Sequence, residues 1–292
     1  MTHILKNKNL EIKIDLSHEN YSFPRFDWTG KITEVYYKDK PVSGFELIEN
    51  FDETKYGKGF YNEFSKPVGF EEIEIGDWFH KIGVGLLKKE EEQYYFYKPH
   101  KAKPASFTII EETDKIICTC KSPNYNGYAY LLDKQISLQE SGFEVKYNLK
   151  NTGKKRIVTN EYNHNFVAIN KELMGKDYVL KFPFKIKPEL FGETVNPEQK
   201  VLIGAQDLRF KDTPQKTYFF SNLSGGELVE AKWALENSKS KIGISETVNL
   251  QTNSISLWGT AYVISPEVFV DIDIEPGDAK EWTRTYNVYE IS

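Results

Sequence analysis

Two segments far apart in the chain carry the side chains best suited to chemistry. The first is Thr159-Asn160-Glu161-Tyr162-Asn163-His164-Asn165-Phe166, an almost unbroken polar run that follows a cleanly alternating strand and a turn at Gly153. A surface strand has no need of such a run, and a buried one tolerates it only where each group finds a partner. Lining a polar cleft meets both conditions, so His164 is a candidate acid–base group and Asn165 a candidate substrate ligand. The second segment is Leu257-Trp258-Gly259-Thr260-Ala261-Tyr262-Val263-Ile264-Ser265-Pro266-Glu267. Glu267 is a lone carboxylate closing a largely apolar stretch. Such a group either caps a turn or loses solvent, and loss of solvent strengthens a carboxylate as a base.

The other four histidines are His3, His18, His80 and His100. His3 sits near a terminus, His18 in a polar stretch and His100 in a loop sequence, and none of the three is expected to act. His80 stands in Asp77-Trp78-Phe79-His80-Lys81-Ile82-Gly83-Val84-Gly85, readable as a binding segment or as a polar loop entering a strand. Gly83-Val84-Gly85 lacks the further glycine and the strand-to-helix setting of a phosphate loop. Cys118 and Cys120 lie two apart, hence on one face of a strand, and are expected to be reduced and packed.

These groups must be positioned by strands. Leu10, Ile12, Ile14 and Leu16 alternate with charged residues; so do Phe143, Val145, Tyr147 and Leu149, and Val268, Val270, Ile272 and Ile274 alternate with Phe269, Asp271 and Asp273. Period two puts one face on a core and the other on water or a cleft. Turn residues separate the runs at Asp27–Gly30, Asn151–Gly153, Ser224–Gly226 and Glu275–Asp278. The best short helix candidate spans Gly226 to Glu236. Lys88–Gln93 reads as a solvated hairpin tip, and residues 48–80, with little alternation, as a functional loop. The whole pattern predicts a mainly β protein, a large antiparallel β-sandwich spanning residues 1–292 as a single domain.

Composition agrees. Aromatics make up 14% of the 292 residues, which suits pleated, half-buried surfaces. The net charge of −5 gives no sign of the basic face that nucleic acid demands, so no nucleic-acid partner is expected. No apolar run is long enough for a membrane span, and Met1–Lys6 has no leader-like apolar region, so a cytoplasmic protein is expected.

An Asn-His motif after a middle strand, paired with a late Pro-Glu before a final hairpin, resembles the aldose 1-epimerase (galactose mutarotase-like) superfamily. The matching residues are Asn163-His164-Asn165-Phe166, followed by Ile169-Asn170, together with Pro266-Glu267; Arg25-Phe26-Asp27-Trp28-Thr29-Gly30-Lys31-Ile32 is similar to the family's opening strands. The resemblance is diffuse and covers roughly residues 10–290. It implies a β-sandwich with a sugar on one concave sheet, Glu267 as the base for the anomeric hydroxyl and His164 as the acid for the ring oxygen. A hemiacetal is already labile, so no metal or organic cofactor is implied. Galactose-specific members carry a second His in a His-Gly-Gly loop that this chain lacks. Its nearest substitute, around His80 and Lys81, is similar to a segment of the hexose-phosphate branch, making both candidate sugar ligands. Arg25 could clamp a hydroxyl or an acidic group, or pair with a carboxylate. Galactose is therefore not the expected substrate, while other aldoses and sugar phosphates stay open. The main alternative is a non-catalytic carbohydrate-binding protein on the same scaffold. A cupin-like metal enzyme using His80, His100, His164 and Glu161 is disfavoured, because the His-x-His spacing is missing.

Overall fold

The structure is a computed structural model that describes residues 2–17, 19–46 and 49–291; His18, and Ile48 at the start of the irregular segment, lie outside the described residues. In chain order the strands are β1 (His3–Lys6), β2 (Leu10–Asp15), β3 (Lys31–Tyr37), β4 (Lys40–Pro41), β5 (Phe60–Phe64), β6 (Trp78–Lys81), β7 (Gly85–Lys88), β8 (Ala102–Pro104), β9 (Ser106–Glu111), β10 (Lys115–Lys121), β11 (Tyr130–Gln139) and β12 (Gly142–Asn151). There follow β13 (Ile157–Asn165), β14 (Tyr178–Lys181), β15 (Thr194–Val195), β16 (Val201–Ile203), β17 (Asp207–Phe210), β18 (Tyr218–Phe220), β19 (Val229–Asn237), β20 (Ile242–Thr252), β21 (Ile255–Gly259), β22 (Ile264–Ile274) and β23 (Ala279–Glu290). Helical structure among the described residues is confined to single 3-10 turns at Phe70–Glu72, Ile169–Lys171 and Pro188–Leu190.

One antiparallel sheet runs β1-β2-β3-β5-β13-β22-β21-β18-β15, with β4 beside β3; the other runs β16-β17-β14-β19-β20-β23-β12-β11-β10-β9. Their inner faces meet in one apolar core. Phe60 of the first sheet lies 5.4 Å from Phe143 and 5.0 Å from Tyr286 of the second, and Phe64 lies 6.3 Å from Trp282. Such tilted and edge-on ring contacts are the arrangements that aromatic quadrupoles favour. The expected alternation is realised: Val268, Val270, Ile272 and Ile274 are buried while Asp271 and Asp273 face out. Cys118 and Cys120 are unpaired thiols buried in the same core.

A small third sheet, β6-β7-β8, bridges through His80 to Val68, just past the end of β5. Its β6–β7 turn needs Gly83, which has φ 79°; a Cβ there would lie 2.0 Å from Oδ1 of Asp27.

Two expectations are corrected. The stretch from Gly226 to Glu236 does not form a helix: Val229–Asn237 is strand β19, paired with β14 and β20. Ala231, Trp233 and Leu235 are buried while Lys232 and Glu236 are less so, a period-two burial that two flanking strands impose. Lys89 is not part of a solvated tip. It is buried and donates to the carbonyls of Phe70 (3.2 Å) and Ile73 (2.9 Å), leaving residues 90–93 exposed.

Candidate functional site

The polar run on β13 divides by the pleat. Tyr162 and His164 point away from the second sheet, into a cleft; Glu161, Asn163 and Asn165 point between the sheets. The cleft has a volume of about 510 Å³, within the usual range for small-ligand sites. Its polar floor holds Arg25, Glu46, Glu63, Tyr162, His164 and Glu267, and its walls include Tyr94, Phe96, Phe219, Trp258 and Phe269.

Register brings the two candidate catalytic groups together. β13 and β22 pair from Ile157↔Ile274 to Tyr162↔Phe269, and the bridge Val167↔Ile264 resumes in the same register. That register sets His164 opposite Glu267 on the cleft face. Nδ1 of His164 lies 3.0 Å from Oε1 of Glu267, an ion-pair distance without the alignment of a hydrogen bond. Both side chains are about 5% exposed, at the base of the cleft. The next cross-strand pair, Tyr162 and Phe269, stacks at 4.4 Å.

Arg25, from the irregular segment before β3, ties the floor together. Its Nε donates to Oε2 of Glu63 (3.0 Å) and its Nη1 to Oε1 of Glu46 (2.9 Å), while Nη2 lies 2.8 Å from Nε2 of His164. A guanidinium only donates, so Nε2 accepts, and the ring proton is assigned to Nδ1, on the side of Glu267. The Tyr162 hydroxyl, 3.0 Å from the same Nε2, donates to Oε2 of Glu63 at 2.9 Å. Burial opposes ionisation of Arg25, but Glu63 above all, with Glu46, outweighs it and holds the guanidinium pKa above its ordinary value. Burial likewise pushes the Glu63 carboxyl up, but Lys81 and then Arg25 reverse this and hold it below the ordinary range. Burial drives the Tyr162 phenol well above its usual value, with Glu63 reinforcing it. Within the floor, Arg25 is thus held as the cation, Glu63 as the anion and Tyr162 as the neutral phenol, despite burial.

The remaining sequence candidates lie elsewhere. Lys81 is buried behind Glu63, donating to the Phe64 carbonyl at 2.7 Å, with Oε1 of Glu63 3.4 Å away; it supports the floor but does not line the cleft. His80 faces away from the cleft, edge-on to Tyr128 and Tyr130, with Nε2 3.3 Å from the Tyr125 carbonyl. Burial lowers its pKa to about 4. Asn165 is sealed between the sheets. Sugar contact by His80 or Asn165 is therefore corrected, because the pleat turns each to the wrong side. His80, His100, His164 and Glu161 do not converge: His100 stacks on Tyr94 at 5.5 Å and Glu161 faces the interior. Among the described residues no cluster of three or more His, Cys, Asp or Glu could hold a metal.

Sequence reasoning missed Glu46, Glu63, Tyr94, Phe96 and Phe219. Glu63 carries the one usable signal, a carboxylate inside an otherwise aromatic strand (Phe60-Tyr61-Asn62-Glu63-Phe64). Tyr94 and Phe96 reach the cleft because the β7–β8 connection folds over it.

Two large antiparallel sheets with a polar cleft on the outer face of one define the class: the chain has the galactose mutarotase-like β-sandwich fold. Three solved structures share that fold along nearly their whole length. A protein from Synechocystis superposes with a TM-score of 0.63 at 12% identity, covering 99% of this chain and 96% of its own. A galactose mutarotase-like protein from Lactobacillus casei gives 0.58 at 11% identity, with 99% and 100% covered. An aldose epimerase homologue from C. elegans gives 0.56 at 12% identity, with both chains fully covered. No family model matches the sequence, and no curated protein matches it either. No helix among the described residues is long and apolar enough to cross a membrane.

Proposed function

We propose that this protein is a cofactor-independent aldose 1-epimerase-like isomerase that interconverts the α and β anomers of a free sugar. The observation that carries the reading is the approach of His164 to Glu267, 3.0 Å apart on the floor of an aromatic-walled cleft. In the forward step the Glu267 carboxylate takes the proton of the anomeric hydroxyl, while His164, carrying a second proton gained as the incoming sugar draws Nε2 away from Arg25, gives one proton to the ring oxygen and becomes neutral imidazole. The C1–O5 bond breaks as the C1 carbonyl forms. After rotation about C1–C2, the protonated Glu267 and the neutral imidazole reverse the two transfers on the other face. Each group supplies on the order of 10²–10⁴-fold. Aromatic walls suit the apolar faces of a pyranose.

Charge argues for a neutral sugar. Among the described residues lining the cleft, Arg25 is the one cation, and its three nitrogens are engaged by Glu63, Glu46 and His164. A sugar phosphate would meet three carboxylates and no free donor of positive charge.

One observation favours the alternative of a non-catalytic sugar-binding protein. Both ring nitrogens of His164 already face protein groups, Arg25 and Tyr162 on one side and Glu267 on the other. Polarimetry separates the two. Freshly dissolved α-glucose, α-galactose and a panel of other neutral aldoses are followed with wild type and with Glu267→Gln. Acceleration by wild type that Glu267→Gln loses supports the isomerase. A wild type that binds an aldose and accelerates none is the binding protein.

A further inference from the structure

At the site the pairing of the two strands that carry His164 and Glu267 is interrupted. The β13–β22 ladder stops at Tyr162↔Phe269 and resumes only at Val167↔Ile264, where each residue donates to the other at 3.0 and 3.1 Å. In an antiparallel ladder hydrogen-bonded pairs alternate with non-bonded ones. Counting back from Val167↔Ile264, the bonded positions of the gap are Asn165 with Pro266 and Asn163 with Val268, with the non-bonded pair His164 and Glu267 between them; the Tyr162↔Phe269 pairing already draws on the Asn163 N–H and the Val268 carbonyl. Pro266 has no N–H to give. Side chains take hold of both carbonyls of β22 that face β13 here: Pro266 O accepts from Asn165 Nδ2 at 2.6 Å, and Val268 O from Arg284 Nη2 at 2.9 Å.

Both stitches are anchored in one sealed network between the sheets. Asn165 Nδ2 also reaches Oε2 of Glu246 (3.1 Å), and the Tyr286 hydroxyl lies 2.9 Å from Oδ1 of Asn165. Arg284 pairs with Oε1 of Glu246 at 2.6 Å and Oε2 of Glu161 at 2.7 Å. Asn165, Glu246, Glu161 and Arg284 are all fully buried.

We propose that Asn165, with Arg284 as the second stitch, is a positioning residue: it bridges an interruption in the β13–β22 ladder and thereby sets the separation of His164 and Glu267 on the opposite face. The catalytic meaning of this role rests on the isomerase reading; the mechanical claim does not. At Pro266 a side-chain bridge stands where proline leaves a backbone bond unmade, so the gap can widen to admit a hemiacetal between acid and base without unzipping the sheet.

The test compares Asn165→Ala with Trp233→Phe. Each removes one donor from Oε2 of Glu246, but only the first releases the Pro266 carbonyl. Asn165→Ala is expected to lower kcat about 10²-fold, the cost of a misplacement near 1 Å, with KM changed less than threefold, and to move the ring-nitrogen NMR shifts of His164. Trp233→Phe is expected to lose comparable thermal stability while leaving kcat and those shifts in place. Equal effects from both variants, or unchanged His164 shifts in Asn165→Ala, overturn the inference. If Asn165→Ala does not unfold cooperatively, Asn165→Ser, whose hydroxyl is too short to span to Pro266, takes its place. Absence of mutarotation in wild type sinks the isomerase reading alone, because the His164 shifts are read without substrate.

Discussion

The two faces of β13 make an instructive pair. On the inner face Glu161, Asn163 and Asn165 join Glu246, Arg284, Trp233, Trp282 and Tyr286 in a network shut off from water. On the outer face, one residue away in each case, Tyr162 and His164 join Arg25, Glu63 and Glu267 in a network of similar composition that opens on a cleft. Both hold guanidinium between carboxylates. Inside, Arg284 serves Glu161 and Glu246 and the ion pairs are completed by indole and phenol donors. Burial raises the Glu161 carboxyl, against the pull of Arg284. Outside, the cation is shared with an imidazole, and a carboxylate faces that imidazole without an aligned bond. The inner network is a fastening; the outer one leaves an imidazole and a carboxylate side by side at the base of a cleft.

Breaking each face in turn sharpens the contrast. The largest effect should come from Glu267→Gln, which leaves shape unchanged but removes the base. Under the isomerase reading polarimetric kcat falls about 10²–10⁴-fold while the urea midpoint stays nearly constant. The mirror-image change inside is Arg284→Met, which strands two buried carboxylates. A loss of about 3–5 kcal/mol is expected by urea titration, and a loss under 1 kcal/mol would mean the inner face is no fastening.

His80 provides a third, pH-dependent handle on a group that the pleat keeps out of the cleft. Its folded pKa, lowered by burial to about 4, lies below the ordinary 6.5. Above pH 6.5 both states hold a neutral ring and nothing changes. As the pH falls from 6.5 to 4 only the unfolded chain takes up the proton, so stability drops, by about 3 kcal/mol in all, and levels off below. Urea midpoints of His80→Gln should lack this share of the acid slope. The smallest effect belongs to the cleft wall. Trp258→Ala should weaken binding of a neutral aldose by about 1 kcal/mol, roughly fivefold by calorimetry, with stability little altered.

Much of this was legible in advance for the parts where local chemistry decides. Period-two runs such as Phe143–Leu149 and Val268–Ile274 are strands because each residue's side of the sheet follows from its parity, and Gly30, Gly225, Gly226 and Gly277 fall at turns where positive φ is needed. The Gly226–Glu236 stretch was misread because apolar residues over a short span satisfy two periods, and the flanking strands β14 and β20 choose between them. The polar run on β13 announced a site, yet only half of it faces the cleft. Lys81 and Arg25 carry the same charge in the sequence, but one is sealed behind Glu63 and the other spans the cleft floor.

The amino-acid order by itself determined that this chain alternates, turns often and carries an imidazole and a carboxylate in unusual settings, because those properties reside in single residues and their immediate neighbours. Only the tertiary structure decided that His164 meets Glu267, that Arg25 and Glu63 complete the floor, and that Asn165 turns inward. Those outcomes depend on strand register across a hundred residues, and register is set by the sum of packing between the two sheets rather than by any one segment.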